Sequence, residues 1–318
     1  MPYKIVIPQD ITDVGKDFLR ENGYEIIIGS GNPDPEVLKS EISQADGLLA
    51  RLAPFPAEVL AAAPNLKVIG RHGVGYNNID VDYCTKNGIV VTYTPESMTN
   101  SVAEHVISLI YAISRKLALM DRETRRGNWD IRNKERSADL EGKTLGLIGL
   151  GRIGALTAKK AALGADMKVI GYDVFLDKDN YPEHVTPAAS AEEVFEQADY
   201  VSLHIPSSPQ TDGMVNYALL SHMKKSAYFI NGARGEVVNE ADLLRVLTEG
   251  LISGAALDVF AKEPASADNP LFKLDNVIVT PHCASNTQES MDRMGLHAAE
   301  GIHAVLSGQK PRWVVNQV

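Results

Sequence analysis

Apolar positions fall in short runs that alternate with helically spaced ones almost from end to end. Runs at 3–7, 25–28, 47–50, 66–70 and 90–92 form a first series of predicted strands. A second series lies at 144–148, 168–172, 200–204, 228–231, 254–258 and 277–280. Many are apolar nearly throughout, the pattern of parallel strands covered on both faces. Strands that alternate with helical stretches predict a doubly wound α/β architecture, here occurring twice. Between the two series Val102, Val106, Leu109, Ile113, Leu117 and Met120 keep a helical period. That period predicts a single helix of about 20 residues over 100–120, with Ser101 and Glu104 spaced as a capping box at its start. A last helix is expected over 287–306, free to return to the first unit.

Composition narrows the class without changing the architecture. A chain of 318 residues suggests two domains, and 44% hydrophobic with 23% charged residues is ordinary for a globular protein. Two cysteines, Cys84 and Cys283, argue against a disulfide scaffold and fit a reducing cytoplasmic setting. The N-terminus reads as a strand rather than a signal peptide, and no apolar run approaches the ~20 residues of a membrane span. A net charge of −10 makes nucleic acid and anionic membranes unexpected partners. An acidic protein that takes an anionic substrate must gather positive charge locally, which directs attention to arginines in unusual places.

The stretch LGLIGLGRIGALTAKKA supplies Gly149, Gly151 and Gly154 in G-x-G-x-x-G spacing, between an apolar strand and a helical pattern. Gly149 permits the tight turn, Gly151 lets backbone approach a pyrophosphate, and Gly154 lets helix and strand pack closely. The helix N-terminus then receives the phosphates. Asp173 ends the next strand, where a carboxylate accepts from adenosine ribose hydroxyls and repels a 2′-phosphate. Val174-Phe175-Leu176 offers no arginine to neutralise one, so NAD is expected over NADP.

Ligands of open α/β sheets bind beyond the carboxyl ends of the strands. Three polar residues stand there in the second series: Arg234 in NGARGE, Glu263 in DVFAKEP and His282 in TPHCAS. Arginine grips a carboxylate and polarises the adjacent C2 oxygen. Histidine exchanges the hydroxyl proton near neutral pH, and a carboxylate fixes its tautomer and stabilises the imidazolium. From pattern alone the assignment stays open. His204 also ends a strand, in VSLHIP, and an arginine after a strand is often a solvated charge or half of an ion pair.

The ordered set GLGRIG, VSLHIP, INGARGEVVNEADLL, GAALDVFAKEP and VTPHCAS resembles the D-isomer-specific 2-hydroxyacid dehydrogenases, especially phosphoglycerate-dehydrogenase-like and hydroxypyruvate-reductase-like members, over nearly the whole chain. The resemblance implies hydride transfer between NAD(H) and C2 of a small anionic 2-hydroxy or 2-keto acid. It makes Arg234 the substrate-binding arginine, Glu263 the carboxylate partner and His282 the acid/base, with His204 on the cofactor side. Further cofactor contacts are implied at Val74, Arg152, Ile153, Ile205, Pro206, Thr211, Gly232, Ala233, Asp258 and Ala284. In the first series, RHGVGYNNID resembles the loop that meets the substrate carboxylate through backbone amides, which assigns Val74 and Gly75 to substrate. Asn100 resembles a position near substrate and equally reads as a hinge cap. Arg51, at a strand end, is either substrate-facing or a solvated charge.

The family fold implies that a nucleotide domain of residues 99–285 is inserted into a substrate domain of residues 1–98 and 286–318, with a cleft that closes on substrate. It also implies a homodimer through the central helix and the segment after it. Between Lys116 and Arg136 that segment holds seven basic and four acidic residues, with Trp129 expected against the partner. Arg132 could reach the partner's active site. No metal is expected, because arginine and imidazolium do the polarising and His282-Cys283 are merely adjacent. Corepressors of the C-terminal-binding-protein type, which use the nucleotide as a sensing ligand, are the competing reading from another class. Formate dehydrogenase shares the fold, but its chemistry needs no acid/base pair such as Glu263 with histidine.

Overall fold

Parallel strands cannot be joined by tight turns, so a chain built from them interposes helices. The computed structural model, which describes residues 2–318, does this twice. Strands β1 (Lys4–Ile7), β2 (Glu25–Ile28), β3 (Gly47–Ala50), β4 (Val68–Arg71) and β5 (Val90–Thr92) form one sheet in the order β2-β1-β3-β4-β5. Strands β6 (Thr144–Ile148), β7 (Lys168–Tyr172), β8 (Thr186–Pro187), β9 (Tyr200–Leu203), β10 (Tyr228–Asn231), β11 (Gly254–Leu257) and β12 (Val277–Val279) form the other, in the order β12-β11-β10-β9-β6-β7-β8. Every strand pairing in both sheets is parallel. The first order is flavodoxin-like and the second is the dinucleotide-fold order extended by one strand. The chain separates into two compact units, Met1–Met98 with Asn286–Val318, and Thr99–Ser285.

In the first unit, helices α1 (Asp13–Glu21), α2 (Pro35–Ile42), α3 (Ala57–Leu60) and α4 (Val81–Lys86) accompany the sheet. Alternate strand residues face opposite ways, so each strand feeds two cores. Val6, Leu48, Ile69 and Val91 pack with Leu38, Ile42 and Val59 on one face. Ile5, Ile7, Leu49 and Val68 pack on the other with Leu19 and with Ala298, Ala299 and Ile302 of the C-terminal helix, Gln288–Leu306. That helix approaches α1 at Gly15, where a Cβ would meet the Gly295 carbonyl at 2.5 Å. The tail then shields edge strand β5. Val315 donates to the Val91 carbonyl, and the Asn316 side chain accepts from the Val91 amide at 2.7 Å.

The second unit holds α5 (Thr99–Ser114), α6 (Leu117–Arg125), α7 (Ile131–Lys134), α8 (Arg152–Ala165), α9 (Ala191–Gln197), α10 (Tyr217–Leu220) and α11 (Glu240–Thr248). Val106, Leu109, Ile110 and Ile113 of α5 pack with Leu145, Leu147, Ile230 and Ala256 of the sheet. The helix expected over 100–120 is therefore two. Lys116 takes a left-handed conformation (φ 51°) and breaks it. The apolar period runs on across the break without a shared buried face, since no residue of α6 is buried and Leu117 is 53% exposed. The capping box is corrected as well. The helix starts at Thr99, which leaves Asn100 and Ser101 inside its first turn. Edge strand β8 has no apolar run and was not predictable from periodicity.

Candidate active site and nucleotide turn

The strand order of the second unit reverses between β6 and β9, which opens a crevice beyond their carboxyl ends. β6 runs into Gly149, whose φ of +92° only glycine adopts readily. A Cβ there would lie 2.8 Å from the His204 carbonyl, so the turn after β6 rests directly on the turn after β9. Gly154, one turn into α8, faces the Gly149 carbonyl so closely that a Cβ would overlap it. Gly151 is the N-cap of α8, and nothing stands within 4 Å of where its Cβ would be. Gly151 brings no capping side chain to this helix, and its first turn holds no acid. The amides of this turn and the positive end of the helix dipole have the sign a pyrophosphate requires, and the missing Cβ of Gly151 leaves room for it to approach.

Asp173 closes the cradle from the side. Its Oδ2 accepts from the Leu150 amide at 2.8 Å and its Oδ1 from the Phe175 amide at 2.9 Å. A carboxylate has about four acceptor positions, so capacity remains for ribose hydroxyls. Beside it Val174 and Phe175 are 71% and 93% exposed. Arg152 and Ile153 lie in the first turn of α8. Ile205 and Pro206 follow His204, and the Thr211 hydroxyl donates to the Pro206 carbonyl at 2.7 Å and holds that loop. Burial lowers the pKa of His204 to about 4, so its ring is neutral at pH 7.

The turns after β10, β11 and β12 bring three functional groups together. At the end of β10 the Asn231 side chain folds the turn on itself. Its Oδ1 accepts from the Ala233 amide at 3.0 Å and its Nδ2 donates to the Arg234 carbonyl at 2.9 Å. Gly232 passes close to Val106 of α5, where a Cβ would come within 3.2 Å of that side chain. Gly235 is pressed against the main chain of Phe260 and Ala261, where any Cβ would collide. This contact fixes the loop carrying Arg234 against the loop carrying Glu263. Glu263 Oε1 accepts from the Phe260 amide at 2.9 Å, which orients Oε2 toward His282 Nδ1 at 2.6 Å.

The electrostatics follow from that pair. The hydrogen bond to Glu263 raises the pKa of His282 above the usual imidazole value, against opposing effects of burial and of the Arg234 guanidinium. Burial works to raise the Glu263 carboxyl, but hydrogen bonds from His282 and the Phe260 amide, with Arg234 nearby, hold it below its usual value. Nδ1 is committed to the carboxylate, which leaves Nε2 to exchange a proton. His282 itself takes φ +50°.

The remaining expected positions lie on separate elements. Asn100 is in the first turn of α5. In the first unit Arg51 follows β3, with Nη1 3.3 Å from the Asp10 carbonyl. Val74 and Gly75 are half-buried in the loop after β4. Arg71 shapes that loop by donating to the Gly75 carbonyl at 2.6 Å and to the His72 carbonyl.

Two residues gain roles that spacing did not suggest. Asp258, fully buried, binds the loop of His282 through Thr280 and the amides of Cys283 and Ala284. Burial would raise its carboxyl, but these donors together with His105 bring it down to about 2. His105, Asp258 and Cys283 present potential ligand atoms within 4.8 Å of one another, yet both Asp258 oxygens already accept hydrogen bonds.

Residues 107–284 match the D-isomer specific 2-hydroxyacid dehydrogenase, NAD binding domain. The chain is 41% identical over 323 residues to a glyoxylate reductase of Thermofilum pendens, covering 99% of this chain and 94% of that one. It is 37% identical over 314 residues to a D-3-phosphoglycerate dehydrogenase of Archaeoglobus fulgidus, covering 98% of this chain but only 59% of that longer protein. Among solved structures, the TT0316 protein of Thermus thermophilus superposes with a TM-score of 0.90 at 34% identity, over 98% of this chain and all of that one. With the glycine turn, the strand order and these matches in agreement, the chain belongs to the D-isomer-specific 2-hydroxyacid dehydrogenase family and carries its NAD-binding domain.

Proposed function

We propose that the chain reduces small 2-keto acids to D-2-hydroxy acids, or oxidises them in reverse, with Arg234, Glu263 and His282 as its catalytic residues. The observation that carries this reading is the 2.6 Å bond between His282 Nδ1 and Glu263 Oε2 beside a guanidinium that acts on both. When bound in the cradle of Gly149, Gly151 and Gly154, NADH supplies the hydride. Arg234 binds the substrate carboxylate and polarises the C2 oxygen through its planar fork. Protonated His282 gives the proton on Nε2 to that oxygen, and Glu263 stabilises the imidazolium beforehand. In oxidation neutral His282 accepts the hydroxyl proton.

Asp173 selects NAD by its charge, and Asp173→Ala should weaken NAD binding while relaxing discrimination against NADP. Val74 and Gly75 are assigned to the substrate carboxylate through their amides. Glyoxylate, hydroxypyruvate and its phosphorylated counterpart are the substrates to test, with phosphoglycerate-type acids as the first choice. The deciding experiment is a steady-state panel of these acids with NADH and NADPH. Turnover of one of them with NADH supports the reading, and NADH binding without turnover on any of them refutes it. A homodimer through α5, α6 and the segment after them is part of the same proposal. Trp129 and Leu117 are 66% and 53% exposed on that segment, and a monomer at micromolar concentration by light scattering would refute it. With two free cysteines the enzyme suits the reducing cytoplasm.

A further inference from the structure

The acid/base histidine stands on a backbone that its own residue type does not favour. A left-handed conformation is unfavourable for a non-glycine residue, and it persists only where neighbours over-determine it. At His282 one residue supplies most of that constraint. The Asp258 carbonyl accepts from the His282 amide at 2.8 Å. Its Oδ1 accepts from the Thr280 hydroxyl at 2.5 Å and the Cys283 amide at 2.9 Å, and its Oδ2 from the Ala284 amide at 2.9 Å. Residues on both sides of His282 therefore hang from a single carboxylate.

That carboxylate is held in turn from α5. His105 Nε2 lies 3.2 Å from Thr280 Oγ1 and 3.4 Å from Asp258 Oδ1. The Thr280 hydroxyl spends its one proton on Asp258, so it can only accept from His105. Donation thus runs in one direction, from His105 Nε2–H to Thr280 and from Thr280 to Asp258. The Cys283 thiol is close to the same groups, but a cation there would have to displace the donors that Asp258 already holds.

We propose that His105 is a positioning residue for proton transfer: through Thr280 and Asp258 it fixes the left-handed turn that presents His282 to Glu263, without touching substrate or cofactor itself. The role rests on His282 being the proton carrier. An acid/base group displaced by about 1 Å can lose up to ~100-fold in rate, so a side chain three hydrogen bonds away can still govern turnover.

The test compares the intact protein with His105→Ala, His105→Gln, Thr280→Val and Thr280→Ser, using keto-acid reduction and NADH fluorescence titration. His105→Ala should lower kcat by about tenfold while the keto-acid KM and the NADH Kd stay within about twofold. His105→Gln, whose amide N–H reaches the same hydroxyl, should recover most of the loss. If the alanine variant does not fold, the Thr280 pair carries the test: serine keeps the hydroxyl and should behave as the parent, and valine should show the kcat defect. Parental kcat in His105→Ala overturns the role, as does a glutamine variant no better than alanine, or a KM and NADH Kd that worsen in step with kcat. A parent that binds NADH and turns over no keto acid overturns the active-site reading, and this role with it.

Discussion

Both units reverse their strand order once, between β1 and β3 in the first and between β6 and β9 in the second, and each reversal opens a crevice at the strand ends. The two crevices are furnished differently. In the first, the Gln9 side-chain oxygen accepts from the amides of Leu52 and Ala53 at 2.7 Å each, so the chain fills its own gap. Asp10 accepts from the Ile11 amide, Asp13 stands in the first turn of α1, and both pair with Lys16. In the second, three glycines replace side chains and the first turn of α8 has no acid. Topology offers a ligand site twice. Whether the site is left to an anion depends on whether local side chains have already taken the amides and set the charge.

The largest expected effect separates chemistry from binding within the second crevice's own unit. His282→Asn suits the left-handed backbone, since asparagine tolerates it better than most residues. It should lower kcat by about a thousandfold with the NADH Kd unchanged. Loss of NADH binding in that variant would mean that the strand ends do not divide the two tasks. Next, Gly151→Asp writes the acid of the first crevice into the second. Its Cβ has room and its φ of −63° suits any residue, so the melting temperature should barely move. The NADH Kd should nevertheless rise about 100-fold, ~2.7 kcal/mol. Calorimetric titration showing parental affinity would break the comparison.

A smaller effect comes from Glu263→Gln. Glu263 raises the pKa of His282, so removing its charge lowers that pKa. Reduction needs the protonated ring and should lose activity at a lower pH than in the parent. Oxidation needs the neutral ring and should switch on at a lower pH as well. Profiles of kcat/KM against pH in both directions that do not move would show that the pair is uncoupled. The smallest effect belongs to the first crevice. Gln9→Ala removes the acceptor of two partly solvated amides and should cost about 0.5–1.5 kcal/mol by denaturant titration. NADH affinity should stay the same, because the glycine turn lies in the second unit.

The sheets were legible because a strand buried on both faces leaves an apolar run in the sequence. The nucleotide turn was legible because its geometry leaves no alternative to glycine at Gly149. The break at Lys116 was not, since lysine carries no turn signal and the apolar period runs on through it. Arg234, Glu263 and His282 could be picked out as strand-end residues, but their roles came only with the resemblance to a family. The clamp at Asp258 was invisible for a different reason. Its donors come from 22 to 26 residues further on, and only the parallel register of β11 against β12 sets the two segments side by side.

The first unit is written in two separated pieces, and this gives the chain a timetable. Ile5, Ile7, Leu49 and Val68 need Ala298, Ala299 and Ile302 as their cover, yet the whole of the second unit is spelled out between them. At ~5–20 residues per second, a ribosome takes roughly 10–40 s to travel from the last strand of the first sheet to the helix that completes it. Throughout that interval the contiguous second unit can fold, while the first shows a bare apolar face to whatever is nearby. A ribosome stalled after residue 285 would hold a finished nucleotide fold tethered to an open sheet, a natural client for a chaperone. The helix Gln288–Leu306 is the clasp that ends this vulnerability.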